Sequence, residues 1–151
     1  MASHLVSACL LGQACRYDGN SKPSAGVQAQ VAVWRACGDD VVAVCPEELG
    51  GLGTPRLAAE LRGGDGHAVL EGRATVRRVA DDGDVTQAFL RGAMLAADAA
   101  PQAVSAVLKA RSPSCGCGVT EIDGQKSNGD GVFAAVLRRR GVAVATDETG
   151  A

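Results

Sequence analysis

The sequence predicts an α/β fold, with helices covering both faces of a mostly parallel sheet. Two observations carry this. Short apolar runs of strand length alternate with segments of helical periodicity. Hydrophobic residues make up 46% of the chain but aromatics only 3%, so the core must be built from Ala, Val and Leu. With 151 residues the chain can bury such a core without disulfide staples. A charged fraction of 21% lies in the ordinary globular range and argues against a disordered chain.

The elements follow in order. Residues 4–9, His-Leu-Val-Ser-Ala-Cys, form an apolar run that ends near Gly12 and reads as a buried strand. From Ala25 to Ala36, Val27, Val31 and Trp34 recur at helical spacing. Asp39-Asp40 breaks to a second buried strand, Val41 to Val44, which runs into Cys45-Pro46-Glu47; Pro46 has no amide to continue the pairing. Residues 50–56 are a glycine-rich loop, and residues 68–79 read as a pair of short strands or an irregular excursion. Asp84 opens the next helix, with Gln87 placed as in a capping box. Val85, Phe89, Leu90, Ala93 and Met94 supply its apolar face, and Pro101 follows its end. Residues 103–108 read as a third strand, 109–116 as a loop, and Gly131 to Arg140 as a last helix stopped by Gly141. Val142 to Ala145 is a final strand, and the tail from Thr146 to Ala151 reads as loose. No repeat or linker divides the chain, so residues 1–151 read as a single-domain, Rossmann-like three-layer fold.

Composition also excludes. A net charge of −2 offers no basic field for a phosphate backbone, so no nucleic-acid partner is expected. No apolar run reaches the length of a membrane span. The start, Met-Ala-Ser-His, lacks the basic region of a signal peptide, and the chain reads as cytoplasmic. The sequence says nothing of oligomeric state.

Six cysteines stand at 9, 15, 37, 45, 115 and 117. In a cytosolic chain of this size they point to metal or catalysis rather than disulfides. There is no C-x-x-C, so a zinc ribbon or a thioredoxin-type pair is not indicated. Cys9 ends the first strand, Cys45 the second, and Cys115 lies in the loop after the third. Parallel strands end on one edge, where open α/β sheets bind ligands. Three thiolates from three strand ends can therefore converge. Thiolates suit zinc and iron–sulfur clusters, and three ligands leave one position open for reaction. The plainer alternative, buried cysteines acting as small hydrophobes, suits any one of them but not three at matching strand ends.

Ser-Ala-Cys-Leu-Leu-Gly (7–12), Cys-Arg-Tyr-Asp-Gly (15–19) with Lys22, Cys-Pro-Glu (45–47), Gly-Gly-Leu-Gly-Thr-Pro-Arg (50–56), Asp-Val-Thr (84–86) and Lys-Ala-Arg-Ser-Pro-Ser-Cys-Gly (109–116) resemble the DUF523 family, whose characterised members are thiouracil desulfidases. The resemblance covers nearly the whole chain in the same order. It implies a [4Fe–4S] cluster on Cys9, Cys45 and Cys115, with one iron left to take sulfur. The implied reaction is non-redox, hydrolytic desulfuration of a small thiolated pyrimidine (base, nucleoside or nucleotide), releasing hydrosulfide. Glu47 matches an acid/base carboxylate and Ser112 a catalytic hydroxyl. Cys15 is a near neighbour rather than a ligand, and Cys37 and Cys117 lie outside the motifs. Ile122-Asp123-Gly124-Gln125-Lys126 departs from the family's Tyr-Asp-Gly-Thr-Phe.

Beside such a cluster Tyr17, which also reads as part of a turn before Gly19, is a candidate to stack on the base, and Lys22 is a candidate substrate contact. Gly51, with Gly50 and Gly53, lets backbone amides approach a ring oxygen or phosphate, and Arg56 and Arg111 favour an anionic substrate. Each residue has a structural alternative: Glu47 as a helix-start carboxylate, Ser112 as a turn initiator before Pro113, Arg56 paired with Glu60, Lys22 solvated. His4 reads as structural, His67 as exposed, and Arg138-Arg139-Arg140 as a solvated helix end. Two rival readings are an iron–sulfur sensor without turnover and a zinc site on the three cysteines.

Overall fold

In the computed structural model, which describes residues 1–148, the strands divide into two four-stranded sheets. The first holds β1 (Ser3–Ser7), β2 (Asp40–Val44), β5 (Ala103–Leu108) and β8 (Ala143–Thr146), in the order β2-β1-β5-β8. Every neighbouring pair in it is parallel. The chain leaves β1 for β2 on one side and later returns to β5 on the other. The carboxyl ends of β1 and β5 therefore flank a topological switch point, the place where open α/β sheets bind ligands.

The second sheet runs β4-β3-β6-β7, from β3 (Ala59–Arg62), β4 (Thr75–Arg78), β6 (Val119–Ile122) and β7 (Gln125–Asn128). It is mixed: β3 and β6 are parallel, while β3–β4 and β6–β7 are antiparallel. Only one sheet is expected from periodicity. β3, Ala-Glu-Leu-Arg, alternates apolar and polar residues but over only four positions, too short to announce itself. Residues 68–79 prove to be the end of a short helix, α3 (Gly66–Leu70), followed by β4. The β6–β7 hairpin turns at Asp123-Gly124, both with positive φ (53° and 76°), the backbone that a two-residue hairpin requires.

Alternation along the parallel strands builds two cores. Leu5, Ala106 and Leu108 face α4 (Thr86–Asp98) and α5 (Val132–Arg139), with Phe89 and Phe133 fully buried among Ala, Val and Leu. Val6 and Val107 face the other way, toward Val27 and Val31 of α1 (Ala25–Ala36). Helix α1 has the predicted bounds, and the Ser24 side chain accepts from the Val27 amide at its start. β1 is shorter than expected. Residues 8–11 wind into a 3-10 turn that carries Cys9, closed by Gly12 in the left-handed region.

The capping box at Asp84 does not form. Asp84 accepts from the Thr86 amide just before α4, and the Thr86 hydroxyl accepts from Val76 N, tying the helix start to β4. The tail is not loose from Thr146, which ends β8 and is buried; Asp147 Oδ1 accepts from Ala110 N, and residues 149–151 lie outside the described residues. His67 is half-buried rather than exposed, because Asp130 takes its Nε2 at 2.9 Å. Arg138, Arg139 and Arg140 each reach a carboxylate, of Asp130, Glu71 and Asp98. His4 is structural, held between Asp39 and Ser105 and stacked on Trp34 with ring centroids 3.9 Å apart. No helix among the described residues is long and apolar enough to cross a membrane.

Candidate active site

A cavity of about 520 Å³ opens at the carboxyl ends of β1, β2 and β5. Cys9, Cys15, Cys45, Cys115, Glu47 and Ser112 all line it. The three strand ends thus bring the three predicted cysteines to one place. They arrive from opposite sides of the sheet: Cys9 and Cys15 pack in the core beneath α1, Cys115 in the core beneath α4 and α5.

Each cysteine is held by local geometry. Cys45 ends the strand as the residue capping α2 (Pro46–Leu49), where Pro46 occupies the first helical position. That short helix is pressed onto α4 through two glycines. A Cβ on Gly92 would meet the Pro46 carbonyl oxygen at 1.9 Å, and one on Gly50 the Ala88 carbonyl oxygen at 2.1 Å. Only glycine permits this approach, and it fixes where Cys45 and Glu47 point. The Cys115 loop instead supplies acceptors to the start of α5. Pro113 O accepts from Val132 N, and Ser114 O from Phe133 N.

Hydroxyls surround the Cys115 sulfur. Ser7 Oγ donates to it at 3.3 Å and Ser114 Oγ at 3.7 Å. The Ser112 hydroxyl accepts from Cys115 N at 2.7 Å and Ser114 N at 3.2 Å, the turn-forming role open to it from sequence. With those lone pairs engaged its proton remains to be donated, and Ser114 Oγ stands 3.2 Å away. Burial pushes the Cys115 thiol up to about 11, against the opposing pull of Ser7 and Ser114. Cys15 hydrogen-bonds to Cys45, which lowers it. Its bond to Cys9 and its burial outweigh that and raise it to about 11. Cys45 is pushed far up by the bond to Cys15 and by burial.

This donor set fits a soft, thiolate-held group. Four cysteines line one cavity, Cys15, Cys45 and Cys115 hold their protons more tightly than a free thiol does, and hydroxyl donors already aim at the Cys115 sulfur. Those are the conditions under which a metal centre displaces protons and is then tuned by hydrogen bonds to sulfur.

Glu47 and Arg56 form a largely buried pair, Nη2 to Oε2 at 2.5 Å. Arg56 also donates to Gly53 O and Thr54 Oγ1. It does not pair with Glu60, which holds Arg62 instead. Arg111, in the left-handed region at φ 65°, pairs with Glu148 at 2.5 Å. The two arginines read as anion contacts therefore line the cavity already engaged with carboxylates. Tyr17 stands at the rim, half exposed, its carbonyl accepting from Arg56 N at 2.7 Å. Lys22 and Gly51 are exposed and do not line the cavity. The amides of Gly50 and Gly51 are taken by carbonyls of α2 rather than left to a ligand.

Sequence reasoning left out several lining residues. Ser7, Lys109 and Ser114 lie inside the quoted motifs, so their signal was present. Arg78 and Glu121 come from β4 and β6, and nothing in their own segments places them here. Glu48 lies one residue past Cys-Pro-Glu. Its carboxylate comes within 4.8 Å of the Cys15 and Cys45 sulfurs.

Comparison with known proteins agrees with this geometry. The family described as 2-thiouracil desulfurase matches residues 5–149. The protein YbbK of Bacillus subtilis (strain 168), itself uncharacterised, is 39% identical over 148 residues, 95% of this chain and 94% of its own. A solved structure described as the [4Fe–4S]-dependent thiouracil desulfidase TudS is 40% identical, with a TM-score of 0.76 over 97% of this chain and 91% of that one. A family match across nearly the whole chain, on a fold whose strand ends gather the motif cysteines, places this chain in the 2-thiouracil desulfurase family.

Proposed function

We propose that the protein is a [4Fe–4S]-dependent desulfidase that converts a small thiolated pyrimidine to its oxo form without net redox change. Cys9, Cys45 and Cys115 would hold the cluster. The observation that carries this reading is the single cavity shared by those three sulfurs, Glu47 and Ser112. When bound, the cluster supplies a Lewis-acidic iron that polarises the thiocarbonyl. In the overall reaction the C=S bond breaks, a C=O bond forms from water, and hydrosulfide leaves. No electron donor is needed.

The chain's own residues supply the rest. Glu47 takes a proton from the attacking water, with Arg56 holding one carboxylate oxygen so that the other is presented consistently. Ser112, accepting two amides, donates its proton toward a ring nitrogen or the departing group. Tyr17 offers a face for the base at the rim. Val85, Phe89 and Leu52 line the cavity with apolar surface, which disfavours bulk water and strengthens the polar contacts within. The base, nucleoside and nucleotide forms are all within the proposed range. Arg56 and Arg111 are already paired, so neither is an unspent charge for a phosphate.

The test is anaerobic reconstitution followed by addition of 4-thiouracil and its nucleotide, with the metal-free chain as control. Cluster-dependent loss of thiocarbonyl absorbance, one hydrosulfide per product and no added reductant are expected. A full cluster without any loss would overturn the reading, and a requirement for reductant would overturn its non-redox part. Cys9→Ala, Cys45→Ala and Cys115→Ala should each abolish cluster binding, whereas a sensor reading needs the cysteines but not Glu47 or Ser112.

A further inference from the structure

The cavity holds one more juxtaposition than this reading uses. Cys15 is expected only as a neighbour, and Glu48 carries no role. Yet the Cys15 sulfur, the Cys45 sulfur and a Glu48 carboxylate oxygen all lie within 4.8 Å of one another. Two thiolates and a carboxylate around a tetrahedral zinc would be separated by roughly 3.5–3.8 Å, from metal–ligand distances of about 2.3 and 2.1 Å. The three donors need to close by at most about an ångström. Cys45 and Glu48 are three residues apart across the start of α2, a spacing that puts both on one side of the turn. Cys15 reaches them from the loop before α1, almost fully buried. Thr54 Oγ1 donates to Glu48 Oε2, the outer contact that typically orients a ligating carboxylate. Cys9, buried in the same core as Cys15, also lines the cavity.

We propose that Cys15, Cys45 and Glu48 form a site for a single divalent cation of the zinc class, and that an ion there excludes the cluster because both require Cys45. The exclusion rests on the cluster reading above; the ion site does not. Two sulfurs and one oxygen suit a borderline-soft ion and disfavour magnesium or calcium, which take oxygen. The cluster reading, by contrast, reaches across the cavity to Cys115 and leaves Cys15 and Glu48 unused. One cavity would thus hold two mutually exclusive metal states.

The experiment uses the full chain, reduced and freed of metal, titrated with Co²⁺ as the coloured stand-in for zinc. One equivalent should give a thiolate-to-cobalt charge-transfer band that one equivalent of Zn²⁺ bleaches. Cys15→Ser and Cys45→Ser should lose the band, and Cys115→Ser should keep it. Glu48→Gln, a half-exposed substitution that tests the site even if a cysteine variant misfolds, should weaken binding at least about tenfold, and Thr54→Ala about tenfold. Chain preloaded with Zn²⁺ should take up less than about a tenth of the cluster iron taken by metal-free chain, and Glu48→Gln should relieve the block.

Absence of the band, undiminished binding in Cys15→Ser or Glu48→Gln, or loss of the band in Cys115→Ser would overturn the ion site. Equal cluster uptake with and without zinc would overturn the exclusion. If metal-free chain assembles no cluster at all, the cluster reading and the exclusion fail together, while the cobalt titration still decides the ion site.

Discussion

The Ser7 hydroxyl donates to the Cys115 sulfur at 3.3 Å and accepts the Lys109 amide at 2.9 Å, spanning the gap between the ends of β1 and β5. One buried side chain thus joins two neighbouring strands at the switch point and braces a predicted ligand from 108 positions away. Ser7→Ala leaves the Lys109 amide without its partner. It should destabilise the fold by about 1–3 kcal/mol in urea denaturation. A change under about 0.5 kcal/mol would show that the hydroxyl contributes little net stabilisation.

Gly92 lies on α4, and its missing side chain seats Pro46. Elsewhere on a helix Gly→Ala stabilises by about 1 kcal/mol. Here a Cβ would meet the Pro46 carbonyl oxygen at 1.9 Å, so α2 must move. Gly92→Ala should therefore destabilise, by about 1–3 kcal/mol as overpacking does, and displace Cys45 and Glu47 with it. Thermal unfolding together with iron content after reconstitution reads both effects. A more stable variant with full iron would show that α2 does not depend on this contact.

Glu47 and Arg56 form a pair with little exposure, so removing one leaves the other charged and unpartnered. Arg56→Met should cost about 3 kcal/mol, and the double variant Glu47→Gln/Arg56→Met should recover part of that loss. Glu47→Gln alone should keep the cluster and lower kcat by about 10²–10⁴, the range for a general base. Denaturation curves and single-turnover kinetics separate the stability loss from the kinetic one.

Asp39 should contribute to acid sensitivity. Its carboxyl is held below the ordinary range, first by the hydrogen bond from His4 and then by the Ala2 amide. A depressed folded-state value means the contribution is fully present above the unfolded value of about 3.9. It is lost as pH falls from there through the lower folded value. Asp39→Asn should flatten the fall of stability with pH in that window. Urea midpoints measured from pH 2 to 6 check this, and an unchanged acid slope would remove Asp39 from the account.

The local pattern of the chain determined a good deal. Helix α1 and strand β5 run where their apolar spacing puts them. The lack of aromatics dictated a core of small aliphatic residues around Phe89 and Phe133. Cys9, Cys45 and Cys115 follow β1, β2 and β5 as the apolar runs suggest, because strand length is a local property; that these strands run parallel is decided by their pairing. The β6–β7 hairpin has its signal in Asp123-Gly124, but β7, Gln-Lys-Ser-Asn, has no apolar residue to mark it as a strand.

Tertiary structure decided the partners. Arg56 has Glu47, Glu48 and Glu60 within twelve residues along the chain, and the fold of the 50–56 loop joins it to Glu47. The Ser112 hydroxyl meets the amides of Ser114 and Cys115 only once the Cys115 loop closes around it. Cys15 and Glu48 come together only because one loop and one helix turn converge on the same strand end. Periodicity reports which face of an element is buried. It carries no information on which distant group will meet a given charge or sulfur, since that is fixed by the packing of elements remote in sequence.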